Sequence, residues 1–203
     1  MNPITMGREL ASGWALMASY PLECLTFLNV PRRFRRSRDA VILIHGNGGD
    51  RTNMLAMSVL VRMMGFDNVG YYSYPARQLV EDSASQLAEM AAQADGGAGV
   101  HFIGHSLGGT IARMAAARSE NGRTRSLVTL GSPWSANQQS PDEVAIFGSD
   151  DPIVHPPRGH FFPDGMYKRL IVLRNTGHLS VLHHDETIRI TLNELTANRM
   201  TLQ

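Results

Sequence analysis

Runs of consecutive apolar residues alternate with longer mixed stretches along the chain from residue 39 onward. The segment Ala40–Ile44 reads AVILI, a run without polar positions that is typical of a strand buried on both faces of a sheet. Five later runs have the same character, although some are interrupted by polar residues. We therefore predict six strands, at residues 40–44, 69–73, 99–103, 126–130, 143–147 and 169–173.

The stretches between these runs carry apolar residues at the three- and four-residue spacing of amphipathic helices. The first offers Asp50 or Thr52 as its N-cap, and the second ends at Gly96 and Gly97, a helix stop signal. Helices are predicted at residues 52–64, 80–94, 107–119 and 180–198. Strands that alternate with helices predict an α/β fold, with a mostly parallel sheet of about six strands and helices on both faces.

The N-terminal region has a different pattern. Residues 10–30 are largely apolar over a length that suits a membrane span, with Arg8 before them and the arginine-rich stretch PRRFRRSR at 31–38 after them. Glu23 and Pro21 weaken the case for a span, since an acidic side chain at the bilayer centre costs roughly 2.5–3.5 kcal/mol.

Three interpretations of this region remain open. The first is a helix packed on the domain and followed by a solvated basic linker. The second is an interfacial or membrane anchor whose arginines contact anionic lipid headgroups. The third is a signal peptide, for which the sequence shows no clear cleavage site of small residues. We divide the chain into this region, 1–38, and a main domain, 39–203, and we leave its location open between the cytoplasm, a membrane surface and secretion.

Composition narrows the functional classes. At 203 residues, the chain has the length of a single domain with a substantial core. Its formal net charge of +1 gives no indication of nucleic-acid binding. Cys24 is the only cysteine, which excludes an internal disulfide and a cysteine metal site. No His-x-x-x-His pattern on a helix points to a metal, so we expect none.

The end of the third strand carries the clearest chemical signal, the sequence VHFIGHSLGG at residues 100–109. Gly104, Ser106 and Gly108 fit the Gly-x-Ser-x-Gly pattern between a strand and a helix. So tight a turn exposes the serine hydroxyl and leaves no room for side chains two residues away. The helix that follows directs backbone N–H groups and its positive dipole end at negative charge near the serine. Ser106 is therefore the candidate nucleophile, and an ordinary strand–helix turn is the alternative.

A serine hydroxyl needs a base near neutral pH, and the base needs a group that fixes its tautomer. In enzymes with a serine on such a turn, the acid follows the serine in the chain and the histidine follows the acid. Asp150 and Asp151 come just after the fifth predicted strand, and His178 comes just after the sixth. This order selects Ser106, Asp151 and His178, with Asp150 as the alternative acid and helix capping as the alternative role of His178. Six other histidines are weaker candidates for the base: His101, His105, His155, His160, His183 and His184. Of these, His183 and His184 fall inside the predicted final helix.

Backbone N–H groups are predicted to hold the negative oxygen that forms during acyl transfer. Leu107, directly after the nucleophile, supplies one N–H group, and Asn47 in the loop HGNGG supplies a second. A flexible turn is the alternative interpretation of the glycines in that loop. Apolar side chains near the site favour an acyl chain, although each is equally suited to the core. The candidates are Trp134, Ile153, Leu179, Val181 and Met54.

Five segments together resemble the α/β-hydrolase superfamily, and within it the small bacterial lipases and esterases. They are VILIHGNGG, VHFIGHSLGG, LVTLGSPW, IFGSDDPIVHPP and NTGHLSVL, in the family's order between Ala40 and about Leu195. The resemblance implies a serine hydrolase that cleaves carboxylic esters without a cofactor, through an acyl-enzyme. It makes Ser106 the nucleophile, His178 the base and Asp151 the group that orients the base.

One of these segments departs from the lipase pattern. Lipases often have GSPHxG after the fourth strand, whereas residues 131–135 here read GSPWS. The next predicted strand begins at Glu143, which leaves too few residues for a large helical cap. We therefore expect an open, lid-poor site.

The expected substrate is a small-molecule or lipid ester, such as a glyceride or a short p-nitrophenyl ester, and nucleic acid is not an expected partner. Contact with a lipid surface through residues 1–38 is a further expectation, and the oligomeric state stays open. The same scaffold and triad also serve thioesterases, amidases, cofactor-free haloperoxidases and hydroxynitrile lyases. A non-catalytic binding module is the remaining alternative.

Overall fold

The computed structural model describes residues 2–19, 38–95, 98–119, 123–134, 143–157 and 169–199. Six strands form one sheet in which each neighbouring pair is parallel, in the order β2-β1-β3-β4-β5-β6. This confirms the predicted α/β class and the sheet of about six strands. The strands are β1 (Ala40–Ile44), β2 (Val69–Tyr72), β3 (Val100–His105), β4 (Thr124–Leu130), β5 (Glu143–Gly148) and β6 (Arg169–Leu173).

Five α-helices accompany the sheet in the described part of the chain. They are α1 (Pro3–Ser19), α2 (Leu55–Met63), α3 (Val80–Asp95), α4 (Leu107–Arg118) and α5 (Asp185–Ala197).

The first and last predicted helices of the main domain are each divided by a short 3-10 turn, at Arg51–Met54 before α2 and at Ser180–Leu182 before α5. The first turn begins early because the Asp50 carboxylate accepts the N–H of Thr52 at 2.8 Å. The side chain of His184 caps α5 by accepting the N–H of Glu186 at 3.1 Å. The prediction that His183 and His184 lie inside the last helix is therefore wrong, since α5 starts after both.

Two hydrophobic cores cover opposite faces of the sheet. Val41 and Leu43 of β1 point to one face, where they join apolar residues of α2 and α5. Ala40, Ile42 and Ile44 point to the other face and join residues of α3 and α4. Because successive strand residues alternate between faces, β1 is buried along its whole length. Its unbroken apolar sequence follows from this position between two helical layers.

The strand order reverses next to β1, because the chain passes to β2 on one side and then to β3 on the other. In parallel sheets, ligands bind in the crevice outside the carboxyl ends of the two strands at such a reversal. Here that crevice lies between the loop after β1 and the turn after β3. The loops after β5 and β6 open at the same edge of the sheet.

Helix α1 packs with its polar side inward. Thr5 and Ser12 are buried, whereas Ile4, Leu10 and Trp14 are 59%, 60% and 70% exposed. The helix packs on the domain, as in the first interpretation of this region. It also presents an apolar side outward, which is a feature of the interfacial anchor in the second. No helix in the described residues is long and apolar enough to cross a bilayer. Residues 20–37, which include Glu23 and most of the basic stretch, lie outside the described part of the chain.

Candidate active site

The turn between β3 and α4 holds Ser106 in a backbone conformation that residues with a side chain rarely adopt. Its φ is 52° and its ψ is −125°, in a region that costs about 1–3 kcal/mol. A Cβ atom at Gly104 would lie 2.5 Å from the Cα of Gly109, and one at Gly108 would lie 2.2 Å from the His45 carbonyl oxygen. Both glycines are required because backbone atoms occupy the space that a side chain would need.

Ser106, His178 and Asp151 meet at the carboxyl edge of the sheet. His178 Nε2 lies 3.0 Å from Ser106 Oγ, and His178 Nδ1 lies 2.7 Å from Asp151 Oδ2. The Asp151 side chain is fully buried. We assign the Nδ1–H tautomer to His178, since an ionised carboxylate accepts hydrogen bonds and cannot donate them. The Nε2 lone pair then faces the serine hydroxyl, which is the arrangement of a nucleophile, a general base and an orienting acid.

The two candidate acids have different partners. Asp151 Oδ1 accepts the backbone N–H groups of Ile153 and Val154, both at 2.8 Å, so its second oxygen is aimed at His178. The carboxylate of Asp150 instead accepts hydrogen bonds from the side chain of Thr5, on α1, and from that of Asn2, just before α1. Of the two acids that the sequence left open, Asp151 is the one in contact with the imidazole.

The loop after β1 and the first turn of α4, which carry the two predicted oxyanion donors, both lie next to Ser106. Leu107 is the first residue of α4, and the first N–H groups of a helix have no acceptor within it. A Cβ atom at Gly46 would lie 3.0 Å from the Cβ of Ser106, so the loop after β1 passes directly beside the serine. Asn47 follows in that loop and is exposed. The oxyanion roles of Asn47 and Leu107 remain predictions.

His105 contacts the catalytic candidate His178 directly. Its ring centroid lies 4.8 Å from that of His178, and its Nε2 lies 2.9 Å from the His178 carbonyl oxygen. Burial, reinforced by the neighbouring His178, lowers the pKa of His105 to about 4. His105 is therefore neutral at ordinary pH, with Nε2–H donating to the His178 carbonyl. Its Nδ1 is buried without a hydrogen-bond partner among the described residues.

This lowered pKa predicts an acid-sensitive stability. Below its ordinary pKa of about 6.5, the unfolded chain binds a proton at His105 that the folded protein excludes until the pH approaches 4. The free energy of unfolding is expected to fall as the pH falls through that window, by up to about 3 kcal/mol from this residue. The variant His105→Gln should show a smaller loss of Tm between pH 7.5 and pH 4.5 in thermal denaturation.

The matched control is His155→Gln, because His155 is exposed. His183 and His184, whose pKa values burial also lowers, are unchanged in both variants, so the comparison isolates His105. An equal loss of Tm on acidification in wild type and His105→Gln would contradict the prediction.

The predicted pocket residues divide into three groups. Trp134 and Leu179 are half-buried on the loops after β4 and β6. Ile153 is 69% exposed and lies on the surface. Met54 and Val181 are fully buried in the core, which is the alternative that the sequence left open for them. Both are apolar residues next to loops of the site, and the sequence does not distinguish such positions from core positions.

The remaining histidines lie elsewhere. His101 is buried in β3, where its Nδ1 lies 3.0 Å from Ser126 Oγ, and His155 is exposed. His160 is outside the described residues. Within the described ranges, no group of three or more His, Cys, Asp or Glu side chains is arranged to hold a metal ion.

Sequence reasoning missed two side chains that contact the segment carrying His178. The sequence gives His105 only as a weaker candidate for the base, and it does not single out Glu9. The Glu9 carboxylate, on α1, accepts the N–H groups of Leu179 and Ser180. The available signal was an acidic residue on the polar side of an amphipathic helix, which usually indicates a solvated position.

Comparison with known proteins gives a family match over most of the main domain. A family model described as palmitoyl protein thioesterase matches residues 40–172. The matched region includes Ser106 and Asp151 and ends before His178. A search of curated proteins finds no significant match.

Solved structures with the same fold include hydrolases of several kinds. A putative hydrolase of the α/β superfamily from Xanthomonas campestris is 20% identical, with a TM-score of 0.64, and the match covers 81% of this chain and 99% of that one. A serine hydrolase without a lid, also from Xanthomonas campestris, is 16% identical, with a TM-score of 0.60 and coverage of 85% and 87%. Acyl-protein thioesterase 2 from Zea mays is 14% identical, with a TM-score of 0.57 and coverage of 83% and 96%.

Proposed function

The chain belongs to the palmitoyl protein thioesterase family and is a hydrolase of the α/β superfamily, and from this premise we propose that it cleaves carboxylic esters by serine catalysis. The observation that supports the proposal most strongly is the contact of one imidazole with two partners. His178 lies within hydrogen-bond distance of Ser106 Oγ on one side and of Asp151 on the other. In this proposal the enzyme uses no cofactor.

In the first half of the reaction, Ser106 Oγ attacks the ester carbonyl carbon while His178 Nε2 takes the hydroxyl proton. The imidazolium that forms is stabilised by the Asp151 carboxylate. The N–H groups of Asn47 and Leu107 stabilise the negative oxygen of the tetrahedral intermediate. The bond to the alcohol oxygen then breaks, and His178 gives its proton to the leaving alcohol. The acyl group remains on Ser106.

In the second half, water takes the place of the alcohol. His178 removes a proton from the water molecule, whose oxygen attacks the acyl carbon. The second tetrahedral intermediate collapses, the bond to Ser106 Oγ breaks, and the serine recovers its proton from His178. Trp134 and Leu179, both half-buried on loops of the site, are proposed to contact the acyl chain. Ile153 extends this surface on the exposed side.

Thioester hydrolysis is the second candidate, and the family match favours it specifically. The same acyl-enzyme forms from an oxygen ester or a thioester, since the two differ only in the leaving group. A thiol leaves more readily than an alcohol and depends less on protonation by His178. Matched substrates with one acyl group and two leaving groups therefore distinguish the two activities.

A substrate panel tests the proposal. It contains p-nitrophenyl esters and matching thioesters of increasing acyl length, one amide and one cyanohydrin, with fluorophosphonate labelling of the protein in parallel. We expect turnover of oxygen esters and labelling at Ser106. Turnover of thioesters alone would replace the ester proposal by the thioester one. Cyanohydrin cleavage without ester turnover would indicate a lyase, and folded protein without turnover or labelling would indicate a binding module.

The exposed side of α1 supports the proposal that residues 1–38 contact a lipid surface. Met6, Leu10 and Trp14 are spaced four residues apart on one side of the helix, and all three are more than half exposed. An emulsified ester added to the panel tests this contact. Serine at these three positions should lower the rate on the emulsion and leave the rate on monomeric ester unchanged. The control Met63→Ser removes an apolar side chain that is 77% exposed on α2, and it should change neither rate.

A further inference from the structure

Helix α1 and the residue before it are attached by polar contacts to the two loops that carry Asp151 and His178. Asn2 Nδ2 and Thr5 Oγ1 both donate to Asp150 Oδ2 at 2.6 Å, and these bonds lie in the loop after β5. Asn2 Nδ2 also donates to Asn175 Oδ1 at 2.8 Å, and Arg8 Nη1 donates to the Asn175 carbonyl at 2.9 Å in the loop after β6. The Thr5 hydroxyl is the main cause of the lowered pKa of Asp150, so this carboxylate is held in its charged form.

Glu9 extends this attachment to the residues that flank His178. Its Oε1 accepts the N–H of Ser180 at 2.6 Å, and its two oxygens share the N–H of Leu179 at 3.1 and 3.0 Å. On the other side of His178, a Cβ atom at Gly177 would lie 2.7 Å from the Glu9 carboxyl carbon. The Glu9 carboxyl group is therefore in contact with the backbone both before and after the imidazole-bearing residue.

A carboxylate suits this position for a physical reason. Hydrogen bonds from backbone N–H groups to a charged acceptor are roughly twice as strong as neutral ones. Two adjacent N–H groups require an acceptor with more than one lone pair, and a carboxylate has two oxygens. The backbone carbonyl of His178 is held separately by Nε2–H of His105 at 2.9 Å. The His178 carbonyl is thus held by one bond from β3, and the N–H groups of the next two residues are held by the Glu9 carboxylate of α1.

We propose that Glu9 is a positioning residue for His178: it holds the backbone of residues 177–180 so that the imidazole stays within reach of Ser106 Oγ. The inference rests on the proposed role of His178 as the base. Glu9 acts through the backbone and touches neither substrate nor reacting atoms. A displacement of about 1 Å in a catalytic group costs roughly 100-fold in rate, so loosening this segment should reduce kcat while substrate binding changes little.

The test compares Glu9→Ala and the isosteric Glu9→Gln with the control Glu81→Ala, which removes an exposed carboxylate from α3. We expect Glu9→Ala to lower kcat for a p-nitrophenyl ester by roughly 10- to 100-fold, with KM within about twofold of wild type. Fluorophosphonate labelling of Ser106 should slow in parallel. Glu9→Gln retains one acceptor oxygen, so its kcat should lie between those of Glu9→Ala and wild type.

Stability is measured on the same samples, because a role in stability alone would lower Tm and leave kcat unchanged below the transition. If Glu9→Ala does not fold, Glu9→Gln decides the question. Full kcat in a folded Glu9 variant, or a change confined to KM, would overturn the proposal while leaving Ser106 catalysis intact. Failure of the proposed function looks different, since wild type itself would then neither turn over esters nor be labelled.

Discussion

Replacing Ser106 with alanine is expected to reduce kcat for ester hydrolysis by roughly 10⁶-fold, the loss typical of a triad nucleophile. The removed hydroxyl is the group of this side chain that reaches His178 Nε2, at 3.0 Å. Without it, the imidazole has no serine proton to remove and no acyl-enzyme can form. Burst-phase kinetics and fluorophosphonate labelling measure the loss directly, and both signals should disappear.

The matched control is Ser85→Ala, which removes an exposed hydroxyl on α3 that bonds to the Glu81 carbonyl. It should retain full activity and labelling. The Tm of Ser106→Ala should stay close to that of wild type, since the substituted side chain would have the same positive φ and the same burial. More than about 1% residual kcat in a well-folded Ser106→Ala protein would show that another group carries the reaction.

The largest effect on stability is expected from Glu143→Ala. Glu143, at the start of β5, and Arg113, on α4, form a fully buried pair with two bonds, Nε to Oε2 at 2.6 Å and Nη2 to Oε1 at 2.8 Å. Removing the carboxylate takes the Glu143 counter-charge away from a buried guanidinium, and breaking a buried ion pair in this way costs about 3–5 kcal/mol. For a chain of this size, that corresponds to a decrease in Tm of roughly 6–20 °C in thermal denaturation.

Two variants make this result interpretable. Arg189→Ala removes an exposed pair with Glu186 on α5 and should cost no more than about 1 kcal/mol. The double variant Arg113→Met/Glu143→Leu removes both charges and should recover most of the stability that Glu143→Ala loses. Equal decreases in Tm for Glu143→Ala and Arg189→Ala would show that the buried Arg113–Glu143 pair contributes no more to stability than an exposed pair.

The parallel sheet was predictable because strands buried on both faces leave an unbroken apolar run, and β1 is such a strand with the bounds predicted for it. β6 also begins and ends as predicted, although most of its residues are exposed. The ends of strands and helices that are set by single hydrogen bonds were not predictable. β3 continues to His105 because it pairs with β4 as far as Leu130, and no change in polarity marks that extension. The final helix begins at Asp185, where the His184 side chain caps it.

Part of the candidate site was accessible from the sequence for a topological reason. Parallel strands end at one edge of the sheet, so residues after β3, β5 and β6 are brought together although they are far apart in sequence. The contribution of α1 was hidden because amphipathic helices normally bury their apolar side. Here Thr5 is buried and Trp14 is exposed, so the usual rule assigns Glu9 to solvent.

The histidine that touches Ser106 follows β6, which is the last strand of the described sheet and pairs with β5 on one side only. Most β6 side chains are exposed, so separating this edge costs less free energy than melting the interior. Moderate heating should therefore abolish activity at temperatures at which the central strands are still folded. The sheet edge with the lowest local stability sets the temperature at which activity is lost. Substitutions that stabilise β6 are therefore the first choice for engineering a more heat-resistant variant.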